Sequence, residues 1–126
     1  MNDITPAVPA GRQLIQGYGA GNFRIAGEAH SGSVIILPEI TMSWSVTRYE
    51  DIAAETLSAV AEARDSIEVL LIGCGPRMGM PRADIRDYLK KFGIVPEWMD
   101  TGAACRTFNV LLTEDRAVAA ALIAVE

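Results

Sequence analysis

Residues 67–72, IEVLLI, close on three consecutive apolar residues and run straight into GCGPRMGMP, residues 73–81. A strand covered on both faces reads this way, as central parallel strands do. Three glycines and two prolines in nine residues make the following stretch a loop. Pro81 suits the first turn of a helix expected to reach Phe92, with Ile85, Tyr88, Leu89 and Phe92 inward and Gly93 as its left-handed stop. Residues 94–99 then read as a second strand, in which Pro96 argues for an edge position or a bulge.

That strand opens into MDTGAACRTFN, residues 99–109. Asp100 and Thr101 are both good helix caps, because a side-chain oxygen there accepts from free N–H groups of the first turn. Gly102, Ala103 and Ala104 allow close approach to the helix end. Ala104, Phe108, Leu111 and Leu112 form the expected apolar stripe, and Thr101, Cys105 and Asn109 an opposite, polar face. Asp115 is expected to act as the turn residue after this helix. Residues 117–125 are ambiguous, since their alanines favour helix. We read a last strand added to the sheet.

The first half reads as strands. Residues 1–11 are expected to be a flexible or extended arm ahead of a single domain, 12–126. Strands are expected at 13–16, 23–25 and 33–37, the last two joined by a long loop at 26–32 that holds His30. Gly17, Gly19 and Gly21 resemble a dinucleotide fingerprint, but a strand pattern and not a helix follows them, so they are read as turn residues. Residues 41–46 alternate as a short edge strand, and Trp44 is a core or lid anchor. Thr47 and Glu50 have capping-box spacing, predicting a helix to Arg64 with Ala53, Leu57, Val60 and Ala61 inward. Strands followed by alternating helices and buried strands predict one three-layer α/β domain. Its central mixed sheet is flanked by helices, with an N-terminal β-hairpin region.

The two parallel strands would place 73–81 and 99–109 at one carboxyl edge, where open α/β sheets bind ligands. The candidate binding edge is Gly73, Cys74, Gly75, Arg77, Asp100, Thr101, Gly102, Cys105, Arg106 and Asn109. Cys105, near a helix start, has a reactive-thiol reading and a packing reading. Arg77 and Arg106 have an anion-pocket reading. Against it, no Gly-Lys-Ser/Thr follows the loop, and Arg106 could instead pair with Asp100 or Glu97. Arg82, Arg86 and Lys90 lie on one outer helix face. One His and two Cys supply neither a zinc set nor a disulfide framework, and no Ser-His-Asp set exists. No catalytic residue, metal or cofactor is assigned. A net charge of −5 and a pI near 4.8 argue against nucleic acid as a partner. The longest apolar run has nine residues, where a span takes about 20, so a cytoplasmic protein is expected, with peripheral attachment to a membrane complex and homo-oligomerisation left open.

YGAGNFRIAGE, GSVIILP, Trp44, LLIGCG, GIVPEWMDTGAACRTFN and EDRAVAAALI, in this order, resemble a small domain family. It includes the mitochondrial assembly factor three for complex I (NADH:ubiquinone oxidoreductase), an adipogenesis-associated human protein and many uncharacterised bacterial and archaeal proteins. The resemblance implies a three-layer α/β fold with a mixed sheet, supports the final strand and implies no established enzyme activity. In the mitochondrial branch it implies a helper that binds other proteins. Family members often carry Thr or Ser at the Cys74 position and Gly at the Asp115 position, which argues against essential chemistry at Cys74. Two function classes follow: a non-catalytic interaction or assembly-helper domain, or a small anionic-ligand domain or minor enzyme around Arg106 and Cys105.

Overall fold

The structure is a computed structural model that describes residues 2–4 and 12–126. In chain order its strands and helices are β1 (Asn2–Asp3), β2 (Ile15–Gly19), β3 (Asn22–Ile25), β4 (Glu28–Ser31), β5 (Val34–Ile36), β6 (Thr41–Ser43), α1 (Ser58–Glu62), β7 (Val69–Gly73), α2 (Ala83–Lys90), β8 (Val95–Met99), α3 (Thr101–Thr113) and β9 (Val118–Leu122). Strands β1-β2-β3-β4 form an antiparallel sheet, and β6-β5-β9-β7-β8 a mixed one. Asn2–Asp3 of the expected arm pair with Gly17 and Tyr18 of β2, while its residues 1 and 5–11 lie outside the described residues.

Side-chain alternation along the mixed sheet sorts the core into two halves. Ile35, Leu70, Ile72, Ala119 and Ala121 face Leu57, Val60, Ile85 and Leu89 on one side. Val34, Ile36, Leu71, Ala120 and Leu122 face Ala104, Phe108 and Leu112 of α3, with Ile15, Phe23 and Ile25 of the small sheet, on the other. The expected three-layer α/β domain is therefore present. Strand β7 is the doubly buried parallel strand, paired with β8 and β9. Strand β9 lies between β5 and β7, at the centre of the sheet. Its alanines are there because both faces are covered, and burial overrides their helix propensity. Pro96 stands on edge strand β8, as expected. The Val95 N–H and Met99 C=O face β7, so alternation turns Pro96, which has no N–H, to the open edge.

Two expectations are corrected. Residues 26–32 are not a long loop, because Ile25 pairs with Glu28 across a two-residue turn and His30 sits on β4 opposite Phe23. Ala26 and Gly27 have φ of 50° and 82°, and Ala20 and Gly21 repeat the arrangement at 54° and 76°. Such turns suit the twist of a hairpin, but Ala is a rare first residue for them. Strand β5 consequently joins the other sheet. The second correction concerns the helix after Trp44. The chain makes 3₁₀ turns at Tyr49–Asp51 and Ala54–Leu57, then the short α1, then another at Arg64–Ser66. No side chain caps the first turn. The carbonyls that a continuous helix would use are claimed elsewhere: Ile52 O accepts from Arg82 Nη1 (2.6 Å) and Thr56 O from Trp44 Nε1 (2.8 Å). Leu57, Val60 and Ala61 still face inward, and Trp44 is a core residue. Helix α2 stops at Lys90, two residues short of the expected end, and Gly93 turns the chain at φ 74°.

Candidate functional site at the carboxyl edge

Strands β7 and β8 end in register, Gly73 opposite Met99, so the two sequence stretches meet as expected. Backbone bonds lock them: Cys74 N–H donates to Met99 O (2.8 Å), and Thr101 N–H to Gly75 O (2.8 Å). Thr101 is fully buried, accepts from Gly75 N–H (3.0 Å) and donates to Ile123 O (2.7 Å). Ile123 N–H returns a bond to Gly73 O (2.9 Å). Three chain segments are thus tied through one hydroxyl and one glycine. Asp100 is the N-cap of α3, its Oδ1 accepting from Ala103 N–H at 2.7 Å.

The polar face expected on α3 is not a surface. Thr101 and Cys105 are 0% exposed and Asn109 is 4% exposed. Asn109 clamps the peptide of Ile15: Oδ1 accepts from its N–H (3.0 Å) and Nδ2 donates to its C=O (2.8 Å). Ile15 lies opposite Ile25 of β3, just before the β2–β3 register shifts between Ile15 and Gly17, and the Asn109 amide serves its two backbone groups. Helix α3 lies between the mixed sheet and the small sheet, so two rows of its side chains are covered where periodicity alone implied one.

Cys74 and Cys105 are both free and buried, and they fall in the two separate halves of the core. Burial pushes the Cys105 thiol up to about 12, against the pull of Arg106 and with the push of Asp100. Burial likewise raises Cys74, opposed by the Gly79 and Met99 backbone N–H groups. Both are neutral thiols at neutral pH, and a thiolate is the nucleophile. We expect the native protein to react with Ellman's reagent far more slowly than the same chain in denaturant, which releases both thiols at once. A fast native phase at pH 7 would contradict this packing role.

Of the ten expected edge residues only Arg77 and Arg106 are exposed, while Asp100 and Gly102 are half-buried and Gly73, Cys74 and Gly75 are buried. Arg106 Nη1 donates to the Tyr18 hydroxyl (2.9 Å). A Cβ on Gly102 would stand 2.8 Å from that oxygen, so this position is small to admit Tyr18. The anion-pocket reading loses its best donor, because Asp100 already supplies a carboxylate to the α3 N-terminus. Arg106 and Asn109 also line, with Ile4, Val110 and Thr113, a cavity of about 270 Å³ along the outer side of α3. Residues 5–11, which follow Ile4, lie outside the described residues. Among the described residues no group of three or more His, Cys, Asp or Glu side chains could hold a metal ion. Sequence reasoning missed Tyr18. Its signal was the small Gly102 one turn before Arg106.

Residues 15–123 match the family described as a protein of unknown function, DUF498/DUF598. The chain is 40% identical over 110 residues to the NADH dehydrogenase (ubiquinone) 1 alpha subcomplex assembly factor 3 of Danio rerio, covering 87% of this chain and 63% of that protein. It is 40% identical over 114 residues to an uncharacterized protein of Rhodobacter capsulatus, covering 90% and 86%. Its fold matches the crystal structure of an outer membrane protein from Bartonella henselae with a TM-score of 0.86 and 46% identity, covering 93% and 98%. This chain spans only about three fifths of the length of the named assembly factors, 63% for the fish protein and 60% for that of Xenopus tropicalis.

Proposed function

We propose, since this chain belongs to the DUF498/DUF598 family, that it is a non-catalytic interaction domain that helps to assemble a respiratory membrane complex. The observation that carries this reading is the 40% identity, over 110 residues, to a protein named as an assembly factor of NADH dehydrogenase. The site geometry agrees with it. The edge residues able to do chemistry, Thr101, Cys105 and Asn109, are spent on holding the fold, which leaves Arg77 and Arg106 as the exposed groups for a partner. The proposal places the protein in the cytoplasm, touching the complex from its surface. Among the described residues no helix is long and apolar enough to cross a membrane.

The test is affinity capture from detergent-solubilised native cells, comparing the wild type with the Arg77→Ala, Arg106→Ala double variant. Respiratory-complex subunits should be enriched by the wild type, and capture should fall about tenfold in the variant, as for two lost interface arginines. The melting temperature should stay close to that of the wild type. Enrichment of no such subunit, together with a melting temperature raised by a small acidic metabolite, would favour the ligand-binding class instead.

A further inference from the structure

The loop between β7 and α2 shows two long apolar side chains to solvent: Met78 is 62% and Met80 80% exposed. The backbone that presents them is anchored. The Tyr49 hydroxyl donates to Met80 O, and Gly79 lies so close on the Tyr49 ring that a Cβ there would come within 2.6 Å of it. Arg82 closes the loop by donating to Ile52 O. These contacts hold the loop, and they leave both methionine side chains in water.

Basic charge is concentrated along this loop and the helix that follows it. Residues 76–91 carry five basic and two acidic side chains, net +3, inside a chain of net −5, which leaves −8 on the remainder. Arg82 holds Asp84 at 2.8 Å, and its side-chain bonds keep that carboxyl below the usual range. Arg77, Arg86, Lys90 and Lys91 are all exposed, with Asp87 the remaining acid among them. Arg86 and Lys90 stand one turn apart on α2.

We infer that this loop and the outer face of α2 dock on an anionic lipid bilayer, with Met78 and Met80 entering the interface and Arg86 and Lys90 meeting headgroup phosphates. A protein-binding hot spot centres on Trp, Tyr and Arg anchors, with the aromatic ones seated in well-packed pockets. None of the eight aromatic residues here is exposed, and the two methionines stand among cations. Flexible apolar side chains flanked by Arg and Lys suit a fluid, negatively charged plane. The acidic remainder is repelled by that plane, which orients the molecule.

The experiment is flotation of the purified chain with vesicles of phosphatidylglycerol mixed with phosphatidylcholine, and of phosphatidylcholine alone. No other protein is present, so its failure is separable from failure of the assembly-helper reading. Binding should be confined to the anionic vesicles and should weaken with salt. It should fall about tenfold for Met78→Ser with Met80→Ser. It should fall about fivefold for Arg86→Gln with Lys90→Gln. All four side chains are exposed, so melting temperatures should match the wild type. No binding to anionic vesicles at low salt would overturn the inference. So would equal binding to phosphatidylcholine alone, or binding that either double variant leaves intact. Capture of an acidic protein through this loop, without vesicle binding, would assign the surface to that partner.

Discussion

Replacing Asn109 by Leu will destabilise the protein by about 2–4 kcal/mol, because it strands two buried backbone groups at once. The side chains are similar in volume, so a cavity contributes little. What is lost is the pair of bonds to Ile15, at 3.0 and 2.8 Å, beside a residue that is 0% exposed. For a domain of this size the melting temperature should fall on the order of 10 °C, read by circular dichroism. A fall of only a degree or two would mean that water reaches Ile15 and that the clamp is dispensable.

Asn109→Asp adds a pH signature. The carboxylate still accepts from Ile15 N–H but cannot donate to Ile15 C=O, and burial raises its folded pKa above the unfolded value of about 3.9. A raised folded pKa means that the stability it contributes is present below the unfolded pKa and lost as pH rises through the folded one. The Asp variant should therefore come closest to the wild type in acid and fall away from it towards neutrality. A wild-type-minus-variant difference that does not change with pH would refute this.

Gly73→Val should cost about 3 kcal/mol, although strand propensity alone favours valine. A Cβ at Gly73 would lie 2.9 Å from Leu122 Cδ2 and 3.1 Å from both the Cα and the Oγ1 of Thr101. Leu122 can rotate, but the Thr101 Cα is the backbone of the first helical residue. Moving it breaks the hydroxyl bonds to Gly75 N–H and Ile123 O. The midpoint of denaturant unfolding should drop. Amide exchange at Gly75 should also rise more than at Leu71, in the middle of β7. A variant as stable as the wild type would show that the helix start can yield.

The site was legible as a place and illegible as a surface. That 73–81 and 99–109 meet follows from two parallel strands ending together, and both the Asp100 cap and the turn at Asp115 (φ 60°) stand where their residue types predicted. The spacing of Thr101, Cys105 and Asn109 showed correctly that they share a face. It carried no information about what covers that face. The small sheet does so, and it is placed there by β2, more than 80 residues earlier in the chain.

The sequence by itself determined the doubly buried strand, the loop at its end, the Asp100 cap and the need of Pro96 for an edge or a bulge. Each of these depends on neighbours within a few residues, through periodicity, φ preference or a missing N–H. Only the tertiary structure decided that β9 inserts at the sheet centre, that the helix after Trp44 breaks into 3₁₀ turns, and that Asn109 serves Ile15. Those outcomes depend on distant carbonyls, on a side-chain amide that reaches the backbone of β2 and on how many layers close over a helix. A local pattern is the same whether one face is covered or two, so only packing could settle them.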